Sequence, residues 1–192
     1  MQLALFSIIL SGALTYGQPQ WGHYKAELLG QSQLFSSWTP SQKASLIMDY
    51  VYAKKPSLCV EIGSFRGAVS LAIGKALSFN KKGIVHCIDT WRYDTPLVEP
   101  CEYNQLTHMW DVLNADGDLI YLDFISKIFR ENLRNYINPL RIDSVKGGEV
   151  FPNESIDLLY LDGNYSEDYA HKELLCYFPK VKRGGKYLAE PC

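Results

Sequence analysis

The feature that most constrains the fold of this chain is an alternation of strand-like and helix-like segments. Continuous apolar runs, typical of strands covered on both faces, occur at Ser57–Ile62, Gly83–Asp89 and Ile156–Leu161. Shorter runs at Pro139–Ile142 and, after a Gly-Gly turn, at Lys186–Ala189 predict two more strands. Helical patterns separate these runs, so we expect a parallel sheet with helices on both faces.

The predicted helices begin and end at recognisable signals. The run Thr39-Pro40-Ser41-Gln42 resembles a capping box, and its helix ends at Lys54-Lys55-Pro56. Two more helices are predicted, one over Ala68–Phe79 and one from the amphipathic spacing of residues 124–137. A fourth is predicted to begin at the cap residue Ser166.

Composition excludes several classes of protein. The chain has 192 residues, 47% of them hydrophobic, and a formal net charge of −2. This length is sufficient for one domain with its own core, and the balanced charge argues against nucleic-acid binding. The five cysteines form no CxxC pair, which indicates neither a zinc site nor a disulfide framework.

The N-terminus has the pattern of a signal peptide. Residues 1–24 carry no Asp, Glu, Lys or Arg, and Leu3–Leu14 is almost entirely apolar. A bilayer span needs about 20 apolar residues, so no transmembrane span is predicted. We expect residues 1–17 to be a leader, 18–38 an extension and 39–192 the domain. A cleaved leader implies a secreted or periplasmic protein. The alternative is a buried or membrane-resting N-terminal helix on a cytoplasmic protein.

Acidic residues collect where the predicted strands end. Asp89, Asp143 and Asp162 each follow directly on a strand run, and Glu61 lies just before the first turn. Ligands of open parallel sheets bind beyond the carboxyl ends of the strands, so these acids indicate a binding site. The alternative is that each acid caps a neighbouring helix or loop. The irregular segment 91–115 is predicted to be a loop over this site.

The first turn indicates the type of ligand. A dinucleotide loop needs glycine at the second position of G-x-G-x-x-G, where this chain has Phe65. A phosphate-binding lysine motif is also missing from the sequence, which disfavours an NAD-dependent oxidoreductase. Asp89, at the end of the second strand, suits the two hydroxyls of a ribose. Ribose without a pyrophosphate points to an adenosine-type ligand.

Four segments in order resemble the class I S-adenosylmethionine-dependent methyltransferases: VEIGSFRG (60–67), CIDTW (87–91), SIDLLYLDGNYS (155–166) and FPKVKRGGKYLAE (178–190). The group they resemble most is methyltransferase family 24, the macrocin O-methyltransferase-like proteins, over roughly residues 35–190. This resemblance implies an α/β fold with a Rossmann-like, doubly wound parallel sheet. The chain stops at Cys192, before the last helix and two strands of that fold.

The resemblance also assigns roles to particular residues. Those that would bind S-adenosylmethionine are Gly63, Ser64 and Gly67 for its methionine part with Glu61 orienting the loop, Asp89 for the ribose, Thr90 or Trp91 beside the adenine, and Asp143 and Ser144 at the adenine ring. Asp162 corresponds to the acid at the reacting face. With Glu190 it would bind Mg²⁺ in a metal-dependent relative. Apart from the resemblance, His108 is the histidine placed to reach a substrate, whereas His86 is expected to be a packed strand residue.

The implied activity is transfer of a methyl group to oxygen of a small-molecule acceptor. The alternative is a catalytically inactive methyltransferase-like binding or structural protein. Four features favour that alternative: Tyr165 stands where relatives commonly have His, Glu190 is followed by proline, the chain ends at Cys192, and the N-terminus has a signal-like pattern. A partner chain supplying the missing strands would make the protein a homo-oligomer.

Overall fold

The computed structural model describes residues 19–31, 41–92, 116–163 and 167–189. Its centre is a parallel sheet in the order β3-β2-β1-β4-β5. The strands are β1 (Leu58–Ile62), β2 (Ile84–Asp89), β3 (Ile137–Arg141), β4 (Ile156–Leu161) and β5 (Val181–Ala189). The predicted fold class is therefore confirmed. Strands β2 and β3 lie on one side of β1, and β4 and β5 lie on the other. This change of side makes a switch point between β1 and β4, and a switch point of this kind opens a crevice for ligands.

Helices cover both faces of the sheet and enclose two apolar cores. They are α1 (Pro19–Gly30), α2 (Ser41–Lys54), α3 (Ala68–Asn80), α4 (Gly117–Arg130), α5 (Ser144–Gly148) and α6 (Glu167–Tyr177). Strand residues alternate between the cores, as Cys59 and Val60 do on β1. Helices α1 to α4 contribute to the larger core. The smaller core includes Tyr177, at the end of α6, and Phe151, which follows α5.

Helix α1 packs onto the domain through aromatic side chains. The ring of Trp21 stacks on Tyr52 with centroids 4.4 Å apart, and its indole N–H donates to Asp49 Oδ1 at 2.8 Å. Lys25 forms an ion pair with the other oxygen of Asp49 at 2.6 Å. Part of the predicted 18–38 extension is thus built into the larger core. Among the described residues, no helix is long and apolar enough to span a bilayer.

The helix predicted over residues 124–137 is placed wrongly. Helix α4 begins at Gly117 and ends at Arg130. Asn132 has a φ of +57°, and the N–H groups of Asn132 and Leu133 donate to Phe129 and Ile128, which is the hydrogen bonding of a Schellman cap. Leu133 and Ile137 lie beyond the end of the helix. Both are apolar because they are buried in the core, and their positions in the sequence match the helical spacing.

Strand β5 is longer than the predicted strand at 186–189. It begins at Val181, which pairs with Ile156, whereas Lys186 pairs with Leu158. The extra residues form an irregularity that contains Gly184, whose φ is +81°. A bulge of this kind keeps both ends of the strand paired, so the Gly-Gly pair lies within the strand instead of preceding it. The predicted cap residues Thr39 and Pro40, the cap Ser166 and the leader lie outside the described residues.

Candidate active site

The turn after β1 lies against the end of β4. Gly63 has a φ of +81°, and a Cβ atom there would lie 1.8 Å from the carbonyl oxygen of Asp162. Gly67 has a φ of +80°, and a Cβ atom there would lie 2.1 Å from the Phe124 ring. Its N–H closes the turn onto the Ser64 carbonyl at 2.7 Å. Both positions therefore require glycine, which lets the turn pack closely against the end of β4 and against Phe124.

Asp89 joins the end of β2 to this turn. Its Oδ2 accepts the Phe65 N–H at 2.8 Å, and its Oδ1 accepts the Trp91 N–H at 2.8 Å. Burial raises the pKa of this carboxyl group, and the backbone N–H groups of Trp91 and Phe65 partly offset the rise. These bonds fix the carboxylate at the carboxyl end of β2, the position predicted for contact with the hydroxyls of a ribose.

Trp91 is enclosed and does not line an open pocket. Its side chain is 1% exposed, and its indole N–H donates to the Phe65 carbonyl at 2.8 Å. The ring packs on Tyr121 and Phe124 at centroid distances of 4.9 and 5.8 Å. Of the two residues predicted to flank an adenine, Thr90 is the one that is only half-buried.

Glu61 is buried beneath the turn. Ser64 Oγ donates to its Oε2 at 3.0 Å, and Ser70 of α3 donates to the same oxygen. Burial raises the pKa of Glu61 to about 7, although these two hydroxyl groups lower it in part. The acid links the turn to the first part of α3, which is the arrangement that the predicted loop-orienting role needs. Ser70 was not identified from the sequence.

Asp143 caps the short helix α5. Its Oδ1 accepts the Lys146 N–H at 3.0 Å, and the phenol of Tyr169 donates to its Oδ2. Ser144, the next residue, donates its hydroxyl to Glu173 of α6. The capping alternative therefore applies to Asp143, while the segment still lies at the carboxyl end of β3.

Sequence reasoning missed Glu173, a buried acid beside the predicted site. It is 4% exposed, and its two carboxylate oxygens lie 3.0 and 3.2 Å from where a Cβ atom of Gly163 would stand. Burial raises the pKa of Glu173 to about 7; the Ser144 hydroxyl lowers it and the charge of Asp143 raises it. A signal was present, because Tyr169, Glu173 and Tyr177 recur at intervals of one helical turn.

Arg141, at the end of β3, was also missed. Its Nε donates to the Thr90 carbonyl at 3.2 Å and its Nη2 to the Trp91 carbonyl at 3.4 Å. It also pairs with Asp118 in the first turn of α4. Arg141 thereby fixes the backbone that follows β2, and charge-assisted bonds of this kind are the stronger class.

Asp162 follows β4 beside the first turn. Its N–H donates to the Ile62 carbonyl at 2.9 Å, and the residue is half-buried. The catalytic candidate His108 and the metal-ligand candidate Glu190 lie outside the described residues, as does Tyr165, which stands where relatives commonly have His. In the described ranges, no three His, Cys, Asp or Glu side chains come together as a metal site. The magnesium ligands Asp162 and Glu190 stay a prediction.

His86 has the surroundings of a packed strand residue. Its Nδ1 lies 2.9 Å from Asn138 Nδ2, and its ring meets Phe151 edge-on at 5.4 Å. Burial lowers the pKa of this histidine, which favours the neutral ring. His86 lies within β2, away from the carboxyl edge, as expected from its position in the sequence.

The sheet order and the acids at its carboxyl edge are those of a Rossmann-like, doubly wound sheet, as the resemblance to the class I S-adenosylmethionine-dependent methyltransferases implies. A comparison with protein families agrees, because the model of methyltransferase family 24, described as a methyltransferase domain, matches residues 60–189. The chain belongs to this family. The macrocin O-methyltransferase-like subgroup stays a prediction. A comparison with curated protein sequences finds no match.

Solved structures share the fold at low sequence identity. The methyltransferase PaMTH1 of Podospora anserina, bound to S-adenosylhomocysteine, aligns with a TM-score of 0.57 and 11% identity over 91% of this chain and 62% of its own. An O-methyltransferase of Bacillus cereus, also with S-adenosylhomocysteine, gives 0.53 and 14% over 91% and 67%. An S-adenosylmethionine-dependent O-methyltransferase of Thermotoga maritima gives 0.54 and 14% over 86% and 49%. The chain therefore spans less than two thirds of PaMTH1.

Proposed function

We propose that the chain binds S-adenosylmethionine at the carboxyl edge of β1, β2 and β4 and transfers its methyl group to oxygen of a small-molecule acceptor. The observation that carries this proposal is Asp89, which two backbone N–H groups at 2.8 Å hold at the end of β2. The family supports the cofactor, as do the PaMTH1 and Bacillus cereus structures, which hold S-adenosylhomocysteine.

The residues present suit this cofactor. Gly63 and Gly67 let the turn pack closely against the Asp162 backbone and the Phe124 ring, and Asp89 lies at the end of β2, where its carboxylate would meet the ribose hydroxyls. Phe65 takes the position where a dinucleotide loop has glycine, so the turn disfavours a pyrophosphate. S-adenosylmethionine supplies a methyl group that its positively charged sulfur has already activated.

The main task of the protein is then to place the acceptor and remove one proton. Positioning two reactants removes a large part of the entropic barrier, about 7–11 kcal/mol in favourable cases. Asp162, half-buried beside Gly63, is the described carboxylate placed to attract the proton of an acceptor hydroxyl. Glu61 and Glu173 bond to serine hydroxyls inside the fold and therefore do not serve as this base.

A calorimetric titration of the full chain with S-adenosylmethionine tests the cofactor site. The Asp89→Ala variant is expected to weaken binding about 10- to 100-fold, because hydrogen bonds to a charged group contribute about 1.5–3 kcal/mol. The matched control is Asp157→Ala. Asp157 also accepts two backbone N–H groups, both at 2.9 Å, but at the opposite edge of the sheet. Equal losses in both variants, or no binding by folded wild-type protein, contradict the proposed site.

Transfer is tested with S-adenosylmethionine that carries a labelled methyl group and a panel of small hydroxyl-bearing acceptors. The expected products are a labelled methyl ether and S-adenosylhomocysteine, and formation of the labelled ether should be lost with Asp162→Asn. Label found on nitrogen alone overturns the assignment to oxygen. Binding without transfer to any acceptor instead supports the inactive binding protein.

A further inference from the structure

One face of α6 holds the segment that follows β3. Tyr169, Glu173 and Tyr177 lie four residues apart, so all three side chains project from one side of the helix. The Tyr169 phenol donates to Asp143, and the Tyr177 phenol donates to the Ser144 carbonyl at 2.6 Å. Between them, Glu173 accepts the Ser144 hydroxyl. Three side chains of one helix therefore fix two consecutive residues.

Glu173 differs from its two neighbours because it also reaches the end of β4. Its carboxylate lies over Gly163, whose missing side chain leaves the space that the two oxygens occupy. Gly163 directly follows Asp162, the acid of the proposed reacting face. The side chain of Glu173 thus stands between the segment after β3 and the segment after β4, which lie on opposite sides of β1 and β2 in the sheet order.

Burying an acid at this position is costly for the fold. Glu173 is 4% exposed, and a buried carboxyl group destabilises the fold unless its partners compensate. Leucine or methionine would fill the same volume without that cost, whereas neither could bond to Ser144. We therefore infer that the acid is present to hold Ser144 near Gly163, because an apolar side chain could attach α6 to the sheet equally well.

We propose that Glu173 is a positioning residue for the cofactor: it ties the adenine-side segment Asp143–Ser144 to the reacting-side segment Asp162–Gly163 and so sets the width of the crevice between them. This inference rests on the proposed function, because the adenine side is defined by it. The carboxylate acts through the two segments and needs no contact with the cofactor.

The test is a set of affinities for S-adenosylmethionine, measured by calorimetry on the full chain under conditions where circular dichroism shows each variant folded. Glu173→Ala is expected to weaken binding about 10-fold or more, and Ser144→Ala by about 3- to 10-fold. Because both remove the same link, the double variant should bind no more weakly than Glu173→Ala alone. Glu173→Gln keeps an acceptor for Ser144 and should restore the affinity to within about threefold.

The matched control is Glu131→Ala, which removes the partner of Lys75 (2.8 Å) on the other face of the sheet. It is expected to lower the free energy of unfolding and leave the affinity within about twofold. Folded Glu173→Ala that binds like wild type overturns the inference, as does full additivity of the two substitutions. If Glu173→Ala does not fold, Ser144→Ala decides by the same criterion. Wild-type protein that does not bind the cofactor refutes the proposed function, and this inference with it.

Discussion

The indole N–H of Trp91 donates to the carbonyl oxygen of Phe65 at 2.8 Å, joining the residue after β2 to the turn after β1. Both residues have positive φ, +48° for Trp91 and +46° for Phe65, which is uncommon for bulky side chains. Asp89 binds both of their backbone N–H groups. The strained backbone of the candidate site is thus held by one buried ring and one carboxylate.

Trp91→Phe should lower the free energy of unfolding by about 1–3 kcal/mol, because the Phe65 carbonyl loses its donor. It should also weaken binding of S-adenosylmethionine, since the turn is no longer held. The control is Trp21→Phe, which removes a comparable indole bond to Asp49 at 2.8 Å, far from the site. Denaturant unfolding and calorimetry separate the two effects. Loss of affinity in the Trp21 variant as well would contradict the prediction.

Gly63→Ala is expected to prevent the native turn or to destabilise the domain by more than about 4 kcal/mol. Its Cβ atom would lie 1.8 Å from the Asp162 carbonyl oxygen, and neither backbone segment can withdraw without breaking the sheet edge. Gly184→Ala provides the comparison, because Gly184 has the same φ of +81° but no atom within 4 Å of the new methyl group. That variant should lose only about 1–2 kcal/mol. Similar losses in urea unfolding would show that backbone conformation, and not the close approach, dominates.

The pKa of Glu173, raised to about 7, makes the stability of the domain depend on pH. The folded state favours the protonated form of Glu173. The stability that protonation contributes to the folded domain is therefore complete below the unfolded pKa of 4.5, and it is lost as the pH rises through 7. The groups facing the acid are Asp143 and, on its own helix, Cys176 and Tyr177. Glu173→Gln does not ionise, so it should gain stability relative to wild type from about pH 5 to pH 8, on the order of 3 kcal/mol.

Urea unfolding at several pH values measures this difference. Glu154→Gln is the control, because Glu154 lies at the surface beside Arg183, with 58% of its side chain exposed. Its stability difference from wild type should change by less than about 0.5 kcal/mol over the same range. A Glu173→Gln difference that is constant with pH would show that the acid stays ionised in the folded protein.

Helix α1 should unfold together with the sheet. Trp21→Ala is expected to cost about 3–5 kcal/mol, because its buried ring stacks on Tyr52 and meets Phe79 at 5.0 Å. His23→Ala, an exposed position on the same helix, should change stability by less than about 0.5 kcal/mol. Fluorescence and circular dichroism should report one transition for each variant. Separate transitions would mean that α1 is an independent appendage.

Much of the sheet could be predicted because its strands are buried on both faces. Ile156–Leu161 was predicted with the bounds that the structure shows, since a continuous apolar run bounded by polar residues has few other solutions. The end of α4 could not be placed in the same way. Leu133 and Ile137 are buried and apolar, as they would be if the helix continued through them. The hydrophobic spacing does not show that Asn132 adopts a left-handed conformation, which ends the helix.

For the candidate site, sequence position located the strand ends but not their partners. Asp89 and Glu61 were identified because they stand at or just before the ends of strands, where the topology gathers residues. Ser70, Arg141 and Glu173 reach the same edge from helices and a neighbouring strand. Their contacts depend on how these elements pack, which the spacing of polar residues does not specify. Glu173 in particular follows a polar helix start and resembles a surface residue.

Cys59 on β1 and Cys87 on β2 face the larger core and are fully buried there, and burial raises the pKa of both thiols. A thiol of this kind reacts only as a thiolate in contact with solvent, so reagents reach it when the helices that cover this core move away from the sheet. Cys176 on α6 is only half-buried. The labelling rate at Cys59 and Cys87 therefore reports how often the larger core opens to solvent, while the labelling rate at Cys176 reports motions nearer the surface.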